Sequence, residues 1–244
     1  MLNDFISLSY PPTPFIRTLR EIMLPQFSWL RLTEIRFELH HFDDSLFALL
    51  AVDPPAHLSK SVKKRRAEYL ASRYAARRAL AAAGVDDFLL LNDEQRAPIW
   101  PPGFCGSLSH TTQRAVIVTA AAQPGRQIGV DAEQTMQAQS ASELSEMIVS
   151  ASELQVLKQC GLPLAQALTL TFSLKESLYK ALFPLLRQFM DFHSAEIVGL
   201  EGATGRAQLR LTRDFSAGLQ AGRLFNGYFQ QQQDEITTLI IDEL

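Results

Sequence analysis

The sequence predicts an α+β fold in which one kind of unit, strands with a long helix, occurs twice along the chain. Two observations carry this. A long amphipathic helix over 61–83 sits among strand-like runs in the first half, and a second, beginning near Pro163, precedes four strand-like runs in the other. A third is size: 244 residues, 47% apolar and 20% charged, are enough for two small cores. The division is expected near residue 120, giving an N-terminal subdomain 1–120 and a C-terminal subdomain 121–244. Duplication shows in the order of elements and not in a residue repeat.

In the first half, residues 1–30, with Pro11, Pro12, Pro14 and Pro25, read as an irregular lead-in. From Leu32 to Phe42 apolar and polar residues alternate through Ile35, Phe37 and Leu39, the period of a strand. Asp53-Pro54-Pro55 breaks the chain before the helix, which Gly84 ends at C′. Tyr69, Leu70, Tyr74, Ala76 and Leu80 share its apolar face. Phe88 to Leu91 reads as a short strand and 96–103 as an extended loop. Cys105 to His110 is a lead into a strand from Arg114 to Ala122, and Gln123-Pro124-Gly125-Arg126 is a hairpin-type turn into a strand holding Asp131.

In the second half, Ser140 with Glu143 and Ser150 with Glu153 have capping-box spacing, so two short helices are expected, with Gly161 closing the second. Pro163 opens a longer helix that runs to about Phe183, where Pro184 is expected to stop it. Strands follow over 194–200, 206–212, 222–230 and 235–242.

Composition excludes several classes. No apolar run approaches the roughly 20 residues of a membrane span, and the N-terminus lacks the basic and apolar regions of a signal peptide. Two cysteines, Cys105 and Cys160, suit neither a disulfide framework nor a zinc site, so a reducing cytoplasm is expected. A net charge of −3 speaks against a general nucleic-acid binder. The charge is uneven, however. Lys60 to Arg78 carries eight Lys or Arg against Glu68, a segment of +7 in a chain whose remainder is −10. Such a helix either faces solvent or receives a small, highly charged anion.

The candidate chemistry lies in three places. On a strand, Asp131 and Glu133 project to one face while Val130 and Ala132 project to the other. On a helix, Glu176 and Lys180 share a face, whether as an ordinary i,i+4 ion pair or as part of a site. Three carboxylates and an ammonium brought together suit a hard divalent cation with a phosphate. Gly106-Ser107-Leu108-Ser109-His110 has small residues whose N–H groups can approach an anion, with His110 as a further donor or as a merely structural side chain. The chain contains no G-x-x-x-x-G-K, G-x-G-x-x-G or G-x-S-x-G motif.

Taken in order, the basic helix, Pro98-Ile99-Trp100-Pro101, Gly106 to His110, Gly129-Val130-Asp131-Ala132-Glu133 and Phe172-Ser173-Leu174-Lys175-Glu176-Ser177-Leu178-Tyr179-Lys180 resemble the 4′-phosphopantetheinyl transferases. The resemblance is specifically to the type that serves enterobactin and related non-ribosomal synthesis, and it extends from about Lys63 to Glu196. It implies a pseudo-dimer of two similar α/β subdomains, with coenzyme A and Mg²⁺ (or Mn²⁺) in the cleft between them. It also implies that Asp131, Glu133 and Glu176 ligate the metal, with Glu176 as ligand, general base or both. Lys180, assisted by Lys175, would neutralise the pyrophosphate. Arg65, Arg73, Ser109, His110 and the loop Gln95-Arg96-Ala97-Pro98 would hold the phosphates of coenzyme A, and Asp131 belongs to the same binding set. Ser72 and Phe172 stand where the family more often has Gly and Trp.

The resemblance implies transfer of phosphopantetheine from coenzyme A to a carrier-protein serine, by a cytoplasmic monomer without nucleic-acid or membrane partners. Two other readings compete with it. A metal-dependent nuclease commonly places its Glu and Lys at i and i+2 on a strand, whereas here they lie four apart on a helix. A non-catalytic carrier-binding homologue has no need to keep Asp131, Glu133, Glu176 and Lys180 together.

Overall fold

The computed structural model describes residues 5–243. The chain divides into two compact units, Met1–Ala122 and Gln123–Leu244. In the first unit, β1 (Phe5–Ser7), β2 (Ile16–Ile22), β3 (Arg31–Phe37), β4 (Phe104–His110) and β5 (Arg114–Ala121) form an antiparallel sheet in the order β1-β2-β3-β5-β4. A one-turn helix, α1 (Ser45–Leu49), precedes the long α2 (Lys63–Ala82). No proline or glycine interrupts α2, and its alanines favour the helical backbone. Ala67, Leu70, Ala71, Tyr74 and Ala75 pack with Ile35, Phe37 and Ile117 of the sheet. Gly84 ends the helix at φ +86°, and Val85 N–H closes on the Leu80 carbonyl at 2.9 Å.

Four expectations for this half are corrected. The lead-in is not irregular throughout, because 5–7 and 16–22 are strands. A register shift between Ile16 and Thr18 puts the buried positions at Ile16, Leu19 and Ile22, which hides the period of two. Residues 88–91 are not a strand. The backbone pairs only as an Asn92–Pro98 bridge, and the apolar run instead buries Leu90 in the core. The segment at 104–110 is a full strand paired along its length with β5, despite its glycine and serines. Gly106 explains that composition, since any Cβ there would meet the Trp100 ring at 2.6 Å and the Val118 carbonyl at 2.6 Å. Finally, the turn at 123–126 does not close a hairpin, because the strands on either side of it belong to different sheets.

In the second unit, β6 (Arg126–Gln134) is followed by α3 (Ala138–Ile148), α4 (Ala151–Gln159) and α5 (Leu164–Leu186). Then come β7 (Ala195–Glu201), β8 (Arg206–Leu211), β9 (Leu224–Gln232) and β10 (Glu235–Glu243). The antiparallel sheet runs β6-β10-β9-β8-β7. Leu168, Leu174, Leu178 and Leu182 of α5 join Ile197, Leu209, Phe225 and Ile240 in its core. The capping box at Ser150 and Glu153 forms, with Glu153 N–H donating to Ser150 Oγ and Ser150 N–H to Glu153 Oε2. The one at Ser140 does not, because α3 already starts after Gln137 and Ser140 lies inside its first turn. Pro184 does not stop α5. It lies in the last turn, where it forfeits one backbone bond, and the helix ends at Arg187 with φ +50°.

The two units are therefore similar mixed α/β structures, each a five-stranded antiparallel sheet with a long helix. The fold agrees with the α+β pseudo-dimer that the sequence motifs imply.

Candidate active site

In the second unit, Gly129 sets the distance between β6 and α5. A Cβ built there would overlap the Ser177 carbonyl oxygen and approach Ala181 N to 2.7 Å, so only glycine lets the helix backbone lie this close to the strand. Two residues on, Asp131 projects to the same face, under the helix, and is only 2% exposed. Lys180 Nζ reaches its Oδ1 at 2.6 Å and Ser173 Oγ donates to its Oδ2 at 2.8 Å. Thr238, the cross-strand partner of Asp131 on β10, has its hydroxyl 2.9 Å from Ser173 Oγ and 2.7 Å from Ser177 Oγ.

Glu133 and Glu176 complete this surface, both partly buried. Burial, then the charge of Asp131, push the Glu133 carboxyl up to about 7; Lys180 pulls it down and Glu176 adds to the rise. Burial also raises Glu176, against the pull of Lys180 and with a push from Asp131. Like charges crowded in this way are relieved by a cation. Among the described residues, no three His, Cys, Asp or Glu side chains are gathered closely enough to hold a metal unaided. The oxygen donors fit an ion of the magnesium type, which takes one or two carboxylates and completes its shell from water and substrate phosphate.

Lys175 lies elsewhere. Its ammonium is buried and donates to the Ile148 and Phe192 carbonyls, each at 2.8 Å, and pairs with Glu153 Oε1 at 2.7 Å. Glu153 Oε1 also accepts from Ile197 N–H at 2.9 Å. Lys175 thus ties α5 to α3, α4 and β7, and the expected assistance to Lys180 is replaced by a structural clamp.

In the first unit, Arg65 is exposed on α2 with Nη1 3.1 Å from His110 Nε2. Glu68 Oε2 lies 3.8 Å from the other ring nitrogen. Burial raises the Glu68 carboxyl, against the pull of Lys64 and Arg65. Arg73 is 5% exposed, donates to Asn92 Oδ1 at 2.6 Å and lies over the Tyr69 ring. Burial lowers its pKa, Tyr69 opposes that, and the charge of Arg65 adds to it. Its Nε is buried without an acceptor among the described residues, a donor fit for an anion. Ser109 is buried in β4. Gln95, Arg96, Ala97 and Pro98 form a tight turn built on Asp93, whose Oδ1 accepts from Gln95 N–H at 3.0 Å and Ala97 N–H at 2.8 Å. Arg96 takes φ +67° at its exposed tip.

The structure therefore brings Asp131, Glu133, Glu176 and Lys180 together in one unit, and Arg65, Arg73 and His110 in the other. Sequence reasoning passed over Ser173, Ser177, Thr238, Asn92 and Asp93. Hydroxyls at i and i+4 on the sheet-facing side of α5 were the legible signal for the first two.

Two similar α/β units carrying these motifs define the class of protein, and comparison with known proteins defines the family. Residues 53–120 match the family model described as the 4′-phosphopantetheinyl transferase N-terminal domain. Residues 127–230 match that of the 4′-phosphopantetheinyl transferase superfamily. Enterobactin synthase component D of Salmonella typhimurium is 35% identical over 205 residues, covering 83% of this chain and 84% of that one. The protein of that name from Escherichia coli K12 is 39% identical over 143 residues, 57% of this chain and 67% of the relative. 4′-Phosphopantetheinyl transferase PptT of Mycobacterium tuberculosis is 31% identical over 192 residues, 72% and 82%. The chain belongs to the 4′-phosphopantetheinyl transferase superfamily. No helix among the described residues is long and apolar enough to cross a membrane.

Proposed function

We propose that the protein transfers 4′-phosphopantetheine from coenzyme A to a serine of an acyl or peptidyl carrier protein, with Mg²⁺ or Mn²⁺, and releases adenosine 3′,5′-bisphosphate. The supporting observation is the buried Asp131 carboxylate, held by Lys180 and Ser173 beside Glu133 and Glu176, in a chain of this superfamily. Asp131 and Glu133 would hold the divalent cation, which would supply positive charge to the pyrophosphate. Arg65, Arg73 and His110 carry donors for phosphate oxygens.

The carrier serine oxygen bonds to the β-phosphorus of coenzyme A as the bond from that phosphorus to the bridging oxygen breaks. The bridging oxygen leaves with the adenosine bisphosphate. Glu176 takes the serine proton. Its raised pKa keeps it a stronger base than an exposed glutamate, and such a base contributes about 10²–10⁴-fold. Lys180 offsets charge on the transferring group, with no covalent enzyme intermediate. The likeness to the enterobactin synthase components points to carrier domains of siderophore-type non-ribosomal synthesis.

Mass spectrometry of an apo carrier protein incubated with coenzyme A and Mg²⁺ tests this. The expected result is a gain of one phosphopantetheinyl group, lost in Asp131→Ala and in Glu176→Gln. Full activity in either variant would overturn the site, and no mass gain with any apo carrier domain would overturn the function.

A further inference from the structure

The hydroxyls beneath Asp131 form one connected set. Ser173 Oγ lies 2.8 Å from Asp131 Oδ2 and 2.9 Å from Thr238 Oγ1. Thr238 Oγ1 is also 2.9 Å from the Ser173 carbonyl and 2.7 Å from Ser177 Oγ, which in turn lies 3.2 Å from the Thr238 carbonyl. Three hydroxyl protons serve these contacts. An ionised carboxylate only accepts, so the Ser173 proton is committed to Asp131. Ser173 Oγ is then left as an acceptor, the single Thr238 proton faces both it and the Ser173 carbonyl, and the Ser177 proton faces Thr238 Oγ1 and the Thr238 carbonyl. Each hydroxyl that accepts a hydrogen bond becomes a better donor in turn.

Neither serine hydroxyl is turned back onto the carbonyls of α5. Thr169 and Thr171, one turn earlier, fold their hydroxyls back onto the Ala165 and Ala167 carbonyls of α5. Ser173 instead reaches across to β6, and Ser177 to β10. Ser173, Ser177 and Thr238 are fully buried, so no water competes for their protons. Gly129 makes the crossing short enough for these small side chains to span.

We propose that Ser173, backed by Thr238 and Ser177, is a positioning residue that locks the Asp131 carboxylate. With Oδ2 fastened to the hydroxyl chain, the carboxylate has one orientation, and Oδ1 is presented to the cation and to Lys180. This rests on the reading of Asp131 as a cation holder. Partners behind metal-binding side chains typically account for about 10–100-fold in metal affinity or activity.

The test is Mn²⁺ binding to the full chain with coenzyme A present, followed by the paramagnetic resonance of free Mn²⁺, with unfolding midpoints measured alongside. Ser173→Ala is expected to weaken Mn²⁺ binding by about 10–100-fold. Thr238→Val, of similar volume but without the hydroxyl, is expected to weaken it less, and Thr238→Ser to restore it. A merely structural role would lower the midpoint and leave Mn²⁺ affinity intact. Folded Ser173→Ala that binds Mn²⁺ as tightly as the wild type overturns the inference. Should Ser173→Ala not fold, equal affinity in Thr238→Val and Thr238→Ser overturns it. A wild type that binds no Mn²⁺ removes the cation-holding role of Asp131, and that failure is seen before any variant is compared.

Discussion

The helices α2 and α5 lie on sheets of the same size, yet they distribute charge in opposite ways. Under α2 the contact with the sheet is alanine, leucine and tyrosine, and Lys63, Lys64 and Arg65 stand in solvent. Under α5 the contact includes Ser173 and Ser177 on Asp131 and Thr238, and Lys175 is buried on Glu153. One scaffold thus presents loose cations outside its helix, the other holds ions within it. An exposed charge costs little to keep and stays adaptable to a ligand. A buried charge must be paired and saturated with hydrogen bonds, and so it has a fixed orientation. The contrast is one of helix surfaces and not of whole units: on α2 Arg73, partnered by Asn92, and Glu68 are buried, and the first sheet holds Glu34 paired with Arg114.

Lys175 tests the buried side of the contrast and should show the largest effect. Lys175→Met leaves Glu153 without its counter-ion and the Ile148 and Phe192 carbonyls without their donor. Breaking a buried pair from one side costs about 3–5 kcal/mol, to be read from urea unfolding curves. A loss below 1 kcal/mol would place this pair with surface ion pairs.

The asymmetry between the units was only partly legible. Long periodic segments showed themselves, as in the helix from 63 to 82 and the strand bearing Asp131 and Glu133. What escaped were features set by a partner distant in sequence. The strand 16–22 was hidden by its register shift, and 104–110 by a glycine that the Trp100 ring and the Val118 carbonyl require. The role of Lys175 followed from helical geometry and from Glu153. Consecutive helical residues diverge by about 100°, so Lys175 and Glu176 serve different places. Thr238 stands 65 residues from Ser173, and no local spacing joins them.

The carboxylates of the second unit give an effect of intermediate size with a definite pH dependence. Glu133 rises from an ordinary 4.5 to about 7 because it is buried beside Asp131. A carboxyl whose value is higher when folded binds its proton more tightly in that state. Its stabilising contribution is complete below pH 4.5 and is lost as the pH climbs through 7. Without divalent cations, the wild type should therefore lose up to about 3 kcal/mol across that window from this group. Glu133→Gln should match the wild type near pH 4 and exceed it at pH 8, by urea unfolding in a chelator. Parallel pH profiles for the two proteins would remove Glu133 from the strained cluster.

Arg65 tests the exposed side and should have the smallest effect on folding. It stands in solvent on α2 with its Nη1 on His110. Truncation to Ala removes no buried contact, so the unfolding free energy should change by less than about 0.5 kcal/mol. Its work is expected to appear only with ligand present. A charge-assisted hydrogen bond to phosphate is worth about 1.5–3 kcal/mol, so coenzyme A should bind at least tenfold more weakly, by calorimetry. Being exposed, this contribution should fade as salt rises, since the screening length shrinks to about 3 Å at 1 M. If Arg65→Ala costs as much stability as Lys175→Met, the division between adaptable outer charges and fixed inner ones collapses. If stability is kept and affinity for coenzyme A is also unchanged, the division survives and Arg65 leaves the phosphate-binding set.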